Sequence, residues 1–243
     1  MAFITAHRGV YDRGFRPQVR ENTPASIERA IAHGADMVEI DVRRTLDGEL
    51  VLSHDEYIHG VPIGRLTYAA LHHRARHQRV PWPRLGDVVQ QCAGRIKLDV
   101  ELKEPGIERE VGTVLLETLA PSELVTSFRD DVIAAMKRAH PEIRAGLLLG
   151  SSRATARAQF SELFPFGRVE RCRADFIVPH ASIADFLVRR AHDRGIGVMV
   201  WTMRRENHLA RLILDPRVEA VITDRVADAR RLRGDGVGVA IGA

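Results

Sequence analysis

Apolar and polar residues alternate over short stretches of this chain, and the clearest stretch predicts a β-strand with an unusual polar face. Val38, Ile40 and Val42 alternate there with Glu39 and Asp41. Successive side chains of a strand point to opposite faces, so one face is apolar and the other carries two carboxylates. Acids on a face that points into a protein need a counter-charge or a chemical purpose.

Residues 96–103 repeat this design farther along the chain. Asp99, Glu101 and Lys103 alternate with apolar residues, so a second predicted strand also has a polar face. If both polar faces point inwards, their acids would repel one another and raise each other's pKa values. The two strands therefore favour a site in which a cation lies among the acids.

A hairpin is predicted directly after the first of these strands. The dipeptide Asp47-Gly48 is preferred in two-residue hairpin loops, because both positions tolerate positive φ. A loop at these two residues places Asp41 opposite His54. Residues opposed in a hairpin share a face, so we expect His54 to lie beside Glu39 and Asp41.

Eight strand candidates alternate with helical patterns when the second arm of the hairpin is set aside. The candidates cover residues 3–6, 37–42, 96–103, 124–127, 145–149, 176–178, 197–201 and 220–222. The helical patterns cover residues 24–33, 68–77, 85–92, 107–119, 131–140, 153–160, 182–194 and 206–214. Helix 24–33 has Thr23 as its predicted N-cap, Pro at its first position and Gly34 as its stop.

This alternation predicts an α/β protein with a single TIM (β/α)8 barrel domain over residues 1–243, in which polar residues at the carboxyl ends of strands converge on one mouth. Residues 56–95 are interrupted by several Gly and Pro residues and are interpreted as an insertion after the hairpin. A doubly wound open sheet is the alternative fold. The first strand is followed by no Gly-rich phosphate loop, which disfavours the dinucleotide-binding version of that sheet.

The composition is that of an ordinary globular protein, because 45% of the 243 residues are hydrophobic and 36 basic residues face 32 acidic ones. Disordered and fibrous classes are excluded. Nearly all of the basic residues are Arg, which suits carboxylate and phosphate pairing, although a solvated surface is the plainer explanation. They form no dense basic run and no aromatic residues are interleaved with them, so we expect no nucleic-acid partner.

Cellular context is predicted from what the sequence lacks. Cys92 and Cys172 are too few for a disulfide framework and lack metal-ligand spacing, so we expect both to be reduced. The first residues contain neither a basic segment nor a following apolar one, and no long apolar run occurs. These features predict a cytoplasmic protein without a stable membrane anchor, and they leave its oligomeric state open.

Several short motifs occur together in a fixed order. They are His7-Arg8-Gly9, Glu21-Asn22-Thr23, Glu39-Ile40-Asp41-Val42, Thr45 with Asp47-Gly48, His54-Asp55, Glu101-Leu102-Lys103, Ser127-Phe128, Trp201-Thr202 and Thr223-Asp224. Each motif alone is weak, but this order and spacing resemble the signature of the glycerophosphodiester phosphodiesterases over residues 6–224. The resemblance implies a TIM barrel, one divalent cation, and hydrolysis of small-molecule glycerophosphodiesters to sn-glycerol 3-phosphate and an alcohol.

The resemblance also implies roles for matching residues: Glu39, Asp41 and Glu101 as ligands of Mg²⁺ or Ca²⁺, His7 and His54 as the acid/base pair, and Arg8 and Lys103 near the phosphate. A cage of carboxylate oxygens suits these cations, and positive charge offsets the phosphodiester charge that repels nucleophiles. We hypothesise that His7 deprotonates water or the substrate's own 2-hydroxyl and that His54 protonates the leaving alcohol, with the reverse order left open. Arg8 and Lys103 have the alternative role of structural counter-ions.

Trp201 and Phe128 follow strand ends and are candidate substrate-binding residues, with simple packing an equal alternative. The chain departs from the family pattern at Arg129, where Asp is common, and at Arg204, where Asn is common. Two added cations near the mouth would favour a more anionic substrate, although solvent-exposed replacement is the plainer interpretation. Residues 56–66 are also shorter than and different from the corresponding family stretch.

Two other functions are consistent with the same residues. A lysophospholipase D or phospholipase-like enzyme acting on lipids would need an apolar rim, for which Tyr57, Ile58 and Trp82 are modest candidates. A catalytically silent protein that binds a phosphate ligand would normally have lost a histidine or an acid of the site, whereas all five are present here.

Overall fold

Eight parallel strands close into a barrel within the residues that the computed structural model describes, which are 1–14, 17–75, 82–118, 124–150 and 161–235. The strands of the described residues are β1 (Phe3–His7), β2 (Met37–Arg44), β3 (Leu50–Leu52), β4 (Tyr57–Ile58), β5 (Val61–Pro62), β6 (Lys97–Leu102), β7 (Leu124–Ser127), β8 (Arg144–Leu149), β9 (Phe176–Pro179), β10 (Gly197–Met203) and β11 (Ala220–Thr223). The barrel runs in the order β1, β2, β6, β7, β8, β9, β10, β11, and β1 pairs in parallel with both β2 and β11. Since this closure leaves β1 without a free edge, the predicted TIM barrel is confirmed and the open sheet is wrong.

Helices follow the strands and surround the barrel. They are α1 (Pro24–Ala32), α2 (Tyr68–Ala75), α3 (Leu85–Cys92), α4 (Glu108–Thr118), α5 (Asp130–Ala139), α6 (Phe166–Cys172), α7 (Ala184–His192), α8 (Glu206–Ile213) and α9 (Val226–Arg233), and residues Ile63–Arg65 form a 3-10 turn. Helix α1 begins as predicted, because the Thr23 side chain accepts a hydrogen bond from the backbone N–H of Ser26. The helix predicted at residues 153–160 lies outside the described residues.

Apolar side chains form one layer between the barrel and the helices and a smaller cluster inside the barrel. The inner cluster comprises Met37, Leu124, Leu148, Phe176, Val178, Met199, Ala220 and Ile222. Phe176 is fully buried opposite Gly146 of the neighbouring strand, where a Cβ atom would lie 2.1 Å from the ring. Several of these residues begin their strands, so the cluster fills the amino-terminal half of the barrel and leaves the opposite mouth to polar groups.

The hairpin after β2 differs from the prediction by one residue. The N–H of Ser53 donates to the carbonyl of Asp41 at 3.0 Å, so Ser53 rather than His54 lies opposite Asp41. The loop has three residues, 46–48, and Gly48 supplies the positive φ of +90° that such a loop needs. One extra loop residue shifts every cross-strand pair, so the predicted two-residue loop and the pairing of Asp41 with His54 are wrong.

The chain between β3 and α3 is anchored by a small apolar cluster beside the barrel mouth. Its buried members are Val51, Ile58, Ile63, Leu66, Leu71 and Ala75. Helix α3, at the end of the predicted insertion of residues 56–95, packs against the main core between α1 and α4 and so belongs to the ring of barrel helices. No described helix combines the length and the apolar character that crossing a lipid bilayer requires.

Candidate active site

Three carboxylates meet at the polar mouth of the barrel. Strand β2 supplies Glu39 and Asp41, and the neighbouring strand β6 supplies Glu101, which lies opposite Asp41 in the parallel register. One carboxylate oxygen of each residue lies within 4.8 Å of those of the other two. All three side chains are buried, Asp41 completely. Pairing of two polar strand faces therefore concentrates negative charge where water is largely excluded.

Two cations lie against this acidic cluster. The Lys103 ammonium lies 2.6 Å from Oε1 of Glu101 and 3.0 Å from Oδ1 of Asp41. Nε of Arg8 lies 3.2 Å from Oδ2 of Asp41, and the backbone N–H of Arg8 donates to Oε2 of Glu39 at 2.9 Å. Arg8 has a φ of +57°, an uncommon conformation for a side chain of this size. Such strain persists only where the surroundings enforce it, here through contacts with the acids on both sides.

Asn22 holds Asp41 in a fixed orientation. Its side-chain amide donates to Oδ2 of Asp41 at 2.8 Å, and its amide oxygen accepts from the backbone N–H of Asp41 at 3.0 Å. The residue adopts a left-handed φ of +55°, which Asn tolerates better than most residues, and its own N–H donates to the carbonyl of Arg8 at 3.0 Å. The loop between β1 and α1 thus braces the acidic cluster from one side.

The carboxylates have strongly perturbed pKa values. Burial, followed by repulsion from Asp41 and Glu101, raises the pKa of Glu39 well above its ordinary value. Burial also raises the pKa of Glu101 to about 7, even though Lys103 opposes the shift. Burial disfavours ionised Asp41 too, but Lys103 and Arg8 outweigh it and lower the pKa of that carboxyl. The two fixed cations therefore outweigh burial at Asp41, but not at Glu39 or Glu101.

A divalent cation fits this donor set. Asp99, which pairs with Glu39 across the strands, is a further buried acid, and burial with repulsion from Glu101 and Asp41 raises its pKa to about 7. Four acids thus surround two fixed cations, which leaves the site short of positive charge. Three converging carboxylates are hard oxygen ligands of the kind that Mg²⁺ and Ca²⁺ prefer. A bound cation would remove the repulsion that raises these pKa values.

His7 lies at the end of β1 and is held by a carboxylate from the last barrel strand. Its Nδ1 lies 2.8 Å from Oδ1 of Asp224, and both side chains are 8% exposed. Burial would raise the pKa of Asp224, but the contacts with His7 and then Arg204 and Arg13 outweigh it and lower that pKa. Ionised Asp224 can only accept a hydrogen bond, so Nδ1 of His7 carries the proton and Nε2 is left as the basic nitrogen.

His54 reaches the site from the turn after β3, where the strand pairing has ended. Its Nδ1 lies 3.0 Å from Oδ1 of Asp55, and its backbone carbonyl accepts a hydrogen bond from Nη2 of Arg43 at 3.0 Å. Burial lowers the pKa of His54, and the charge on Lys103 adds to the effect while Asp41 opposes it. A bend in the chain after β3, and not the predicted strand register, therefore brings the His54 imidazole to the acidic cluster.

One cavity of about 960 Å³ opens above these residues. The predicted site residues that line it are His7, Arg8, Glu39, His54, Glu101, Lys103, Phe128 and Trp201, and Asp41 lies buried beneath them. The rings of Phe128 and Trp201 meet edge to face with their centroids 5.2 Å apart, and the Trp201 indole donates to the carbonyl of Leu149 at 3.0 Å. The fold therefore brings all nine predicted site residues to one place.

Comparison with known proteins identifies the family to which the chain is similar. Residues 7–228 match the model of the glycerophosphoryl diester phosphodiesterase family, and this span contains every residue of the site. The chain belongs to this family. A glycerophosphodiester phosphodiesterase of Caldanaerobacter subterraneus subsp. tengcongensis is 26% identical over 232 residues, which cover 87% of this chain and 91% of the relative. The predicted family membership and the predicted class of phosphodiesterase are confirmed.

Solved structures of family members share the fold. A glycerophosphodiester phosphodiesterase from Agrobacterium tumefaciens superposes with a TM-score of 0.76 at 20% identity, covering 96% of this chain and all of the other. A phosphodiesterase from Oleispira antarctica, solved in complex with its product sn-glycerol-3-phosphate, superposes with a TM-score of 0.75 at 24% identity, covering 95% and 96% of the two chains. These likenesses extend over the whole barrel.

Three contacts in the candidate active site were not predicted from the sequence: those of Asp224 with His7, Asn22 with Asp41 and Arg43 with His54. Arg43 continues the alternation of Glu39 and Asp41 on β2, so the period of two contained its signal. Asp224 follows β11 at the position level with His7, a relation that becomes visible only once the barrel closes. Asn22 belongs to a predicted motif, but its bond to Asp41 depends on a loop conformation that residue spacing does not specify.

The departures from the family pattern differ in their surroundings. Arg204 lines the cavity, and its Nε donates to Oδ2 of Asp224 at 3.0 Å. Arg129 is exposed, and its Nη2 lies 2.6 Å from a carboxylate oxygen of Asp131. Arg204 therefore remains a candidate for substrate contact, whereas Arg129 has the surroundings of a surface residue.

The residues considered for an apolar, lipid-binding rim expose little apolar surface at the cavity. Tyr57 is 55% exposed and lines the cavity, but Ile58 is only 6% exposed and packs in the small cluster beside the mouth. Trp82 packs against the same cluster. Of the three residues considered for a lipid-binding rim, only Tyr57 presents an exposed face at the cavity, and its hydroxyl makes that face amphipathic.

Proposed function

We propose that this enzyme hydrolyses small glycerophosphodiesters to sn-glycerol 3-phosphate and an alcohol, with one divalent cation held by Glu39, Asp41 and Glu101. The observation that supports this function most strongly is that two imidazoles, of His7 and His54, line the same cavity as the acidic cluster. The product bound in the Oleispira antarctica phosphodiesterase agrees with the proposed product. A bound Mg²⁺ or Ca²⁺ would polarise the non-bridging oxygens of the phosphate.

Arg8 and Lys103 supply the fixed positive charge of the site. Both line the cavity, and both guanidinium and ammonium groups lie within 3.2 Å of the acids beneath. We propose that they also contact the phosphate, where they would offset the charge that repels a nucleophile. Their contacts with the acids hold them in place before the substrate arrives, so little reorganisation accompanies binding.

His7 is the better placed of the two histidines to act as the base. The bond from its Nδ1–H to Asp224 fixes the plane of the ring and makes Nε2 the nitrogen that can accept a proton when the ring is neutral. Asp224 also stabilises the imidazolium that forms when Nε2 takes a proton from water or from the substrate's 2-hydroxyl. No such buried carboxylate holds His54 among the described residues, since its partner Asp55 is 79% exposed.

His54 takes the complementary role of protonating the leaving alcohol. Arg43 fixes its backbone, while the side chain is 32% exposed and accessible to an alcohol that departs towards the cavity opening. A general acid is also needed because an alkoxide is a poor leaving group near neutral pH. The two imidazoles therefore differ in surroundings: buried Asp224 orients His7, whereas His54 is more accessible and, since burial lowers its pKa, has to take up a proton before it can act as the acid.

A substrate panel tests this function. We expect the purified enzyme to release choline from glycerophosphocholine faster than from lysophosphatidylcholine, and we expect a chelator to abolish both activities until Mg²⁺ or Ca²⁺ is restored. His54→Ala should lower the rate at least about 100-fold. His192→Ala changes an exposed histidine at the end of α7 and serves as the control. Preference for the lysolipid would favour the lipid-directed alternative, and binding without turnover would favour the silent one.

A further inference from the structure

A buried acid on the wall of the cavity has no part in the proposed chemistry. Glu162 precedes α6, is 7% exposed, and lines the same cavity as His7 and His54. Its carboxylate forms no hydrogen bond and no ion pair with any described residue. The carboxylate lies on the cavity wall and no described residue neutralises it, so a positively charged group bound in the cavity would find an available counter-charge there.

Three aromatic rings that pack against one another line the same cavity as Glu162. Trp201 packs edge to face with Phe128 on one side and with His180 on the other, and both pairs of ring centroids are 5.2 Å apart. Burial, and then the charge on Arg204, lowers the pKa of His180, which disfavours a charged ring at this position. Neutral aromatic faces attract an ammonium or quaternary ammonium group.

The other charges of the outer cavity agree with a cationic ligand. Asp55 and Glu56 also line it, and Glu56 forms no ion pair with a described residue. Arg204 and Arg43 also line the cavity, and each is offset by a carboxylate, Asp224 at 3.0 Å and Glu104 at 3.5 Å. The fixed cations Arg8 and Lys103 lie deeper, against the acidic cluster, where the phosphate would bind.

We propose that Glu162 and the three aromatic residues Phe128, His180 and Trp201 form a subsite for a positively charged alcohol moiety, and that Glu162 selects diesters of amino alcohols. The inference rests on the proposed function, because it assigns one end of the same substrate. Ethanolamine and choline carry the shared chemistry, a cation two carbons from the ester oxygen. Glycerol is the uncharged comparison.

The kinetic test compares three diesters on the wild-type enzyme and on Glu162→Gln, which removes the charge but keeps the shape. The ratio of kcat/KM for glycerophosphocholine or glycerophosphoethanolamine to that for glycerophosphoglycerol should fall about tenfold in Glu162→Gln. Glu162→Asp keeps the charge and should retain part of the preference. Glu170→Gln removes an exposed carboxylate of α6 and should leave the ratio unchanged. An unchanged ratio in Glu162→Gln would overturn the assignment.

A binding measurement separates this inference from the proposed function. Choline and 3,3-dimethyl-1-butanol have nearly the same shape, but only choline is charged, so their inhibition constants isolate the charge. Choline should bind the wild type about tenfold better than the neutral analogue, and this preference should shrink in Glu162→Gln, where only the aromatic rings still favour the charge. If choline binds selectively while no diester is hydrolysed, the proposed function fails and the subsite stands. If diesters are hydrolysed but both analogues bind alike, the subsite fails and the function stands.

Discussion

Replacing Asp224 by Asn tests whether the barrel orients its base through the last strand. The substitution keeps the size of the side chain but removes the charge that makes Nδ1 of His7 the donor across 2.8 Å. Hydrogen bonds to charged groups contribute about 1.5–3 kcal/mol, and both side chains are only 8% exposed, so solvent screening is limited. Since 1.4 kcal/mol corresponds to about tenfold, kcat should fall by roughly 10- to 150-fold. The value of KM should change little, because Asp224 does not contact the acidic cluster or the phosphate in the proposed arrangement.

The assay is the steady-state release of choline from glycerophosphocholine with saturating Mg²⁺. Arg204→Gln is the matched control, because Arg204 binds the other oxygen of Asp224 and is 61% exposed. It should lower kcat less than threefold if the contact with His7 is the one that matters. A kcat for Asp224→Asn within threefold of the wild type would refute the reasoning. So would an equal loss in both variants, since that would assign the effect to the rim charges rather than to the imidazole.

The remaining predictions concern packing, positioning and the cation. Gly146→Ala would place a Cβ atom 2.1 Å from the Phe176 ring, so the melting temperature should fall by about 2–12 °C. Adding Phe176→Leu should recover part of the loss. An unchanged melting temperature in Gly146→Ala would contradict the packing argument. Arg43→Met removes the hydrogen bond to the His54 carbonyl and should lower kcat about tenfold, whereas Arg43→Lys should lower it less. Equal kcat values for the wild type and both variants would contradict this positioning role. Mg²⁺ at 100 times its dissociation constant should stabilise the chelated enzyme by about 2.7 kcal/mol in thermal unfolding. Glu39→Gln should no longer be stabilised by Mg²⁺, but its melting temperature in the presence of chelator should match that of the wild type, because burial and repulsion already favour protonated Glu39. Stabilisation of Glu39→Gln by Mg²⁺ would remove Glu39 from the ligand set.

The period of two on β2 and β6 was enough to predict the acidic cluster, because alternation is a local property of a strand and parallel neighbours stay in register. Counting strands was enough to predict the barrel, since eight βα units have few other arrangements. Helix α9 escaped prediction because it is short, three of its eight residues are Arg, and only Val226 and Ala229 are buried. Its amphipathic signal is therefore weak.

The errors and omissions at the site have tertiary causes. The predicted position of His54 depended on a hairpin register that is wrong by one residue. His54 reaches the cavity through a bend in the chain that hydrophobic periodicity does not predict. Glu162 lies in a stretch without a motif, so only the closed barrel shows that it faces the cavity. The cross-barrel bond of His7 with Asp224 likewise depends on which strands become neighbours, and chain order alone does not state that.

His7 and Asp224 are separated by 217 positions along the chain. During synthesis His7 therefore leaves the ribosome with the first barrel strand, and the carboxylate that orients its ring follows only with the last. Nascent chains and products of premature termination contain all three acids and both imidazoles long before that contact exists. Under the proposed roles, a chain that ends before the last strand would lack the carboxylate that orients His7 and so would hydrolyse diesters more slowly than the finished barrel.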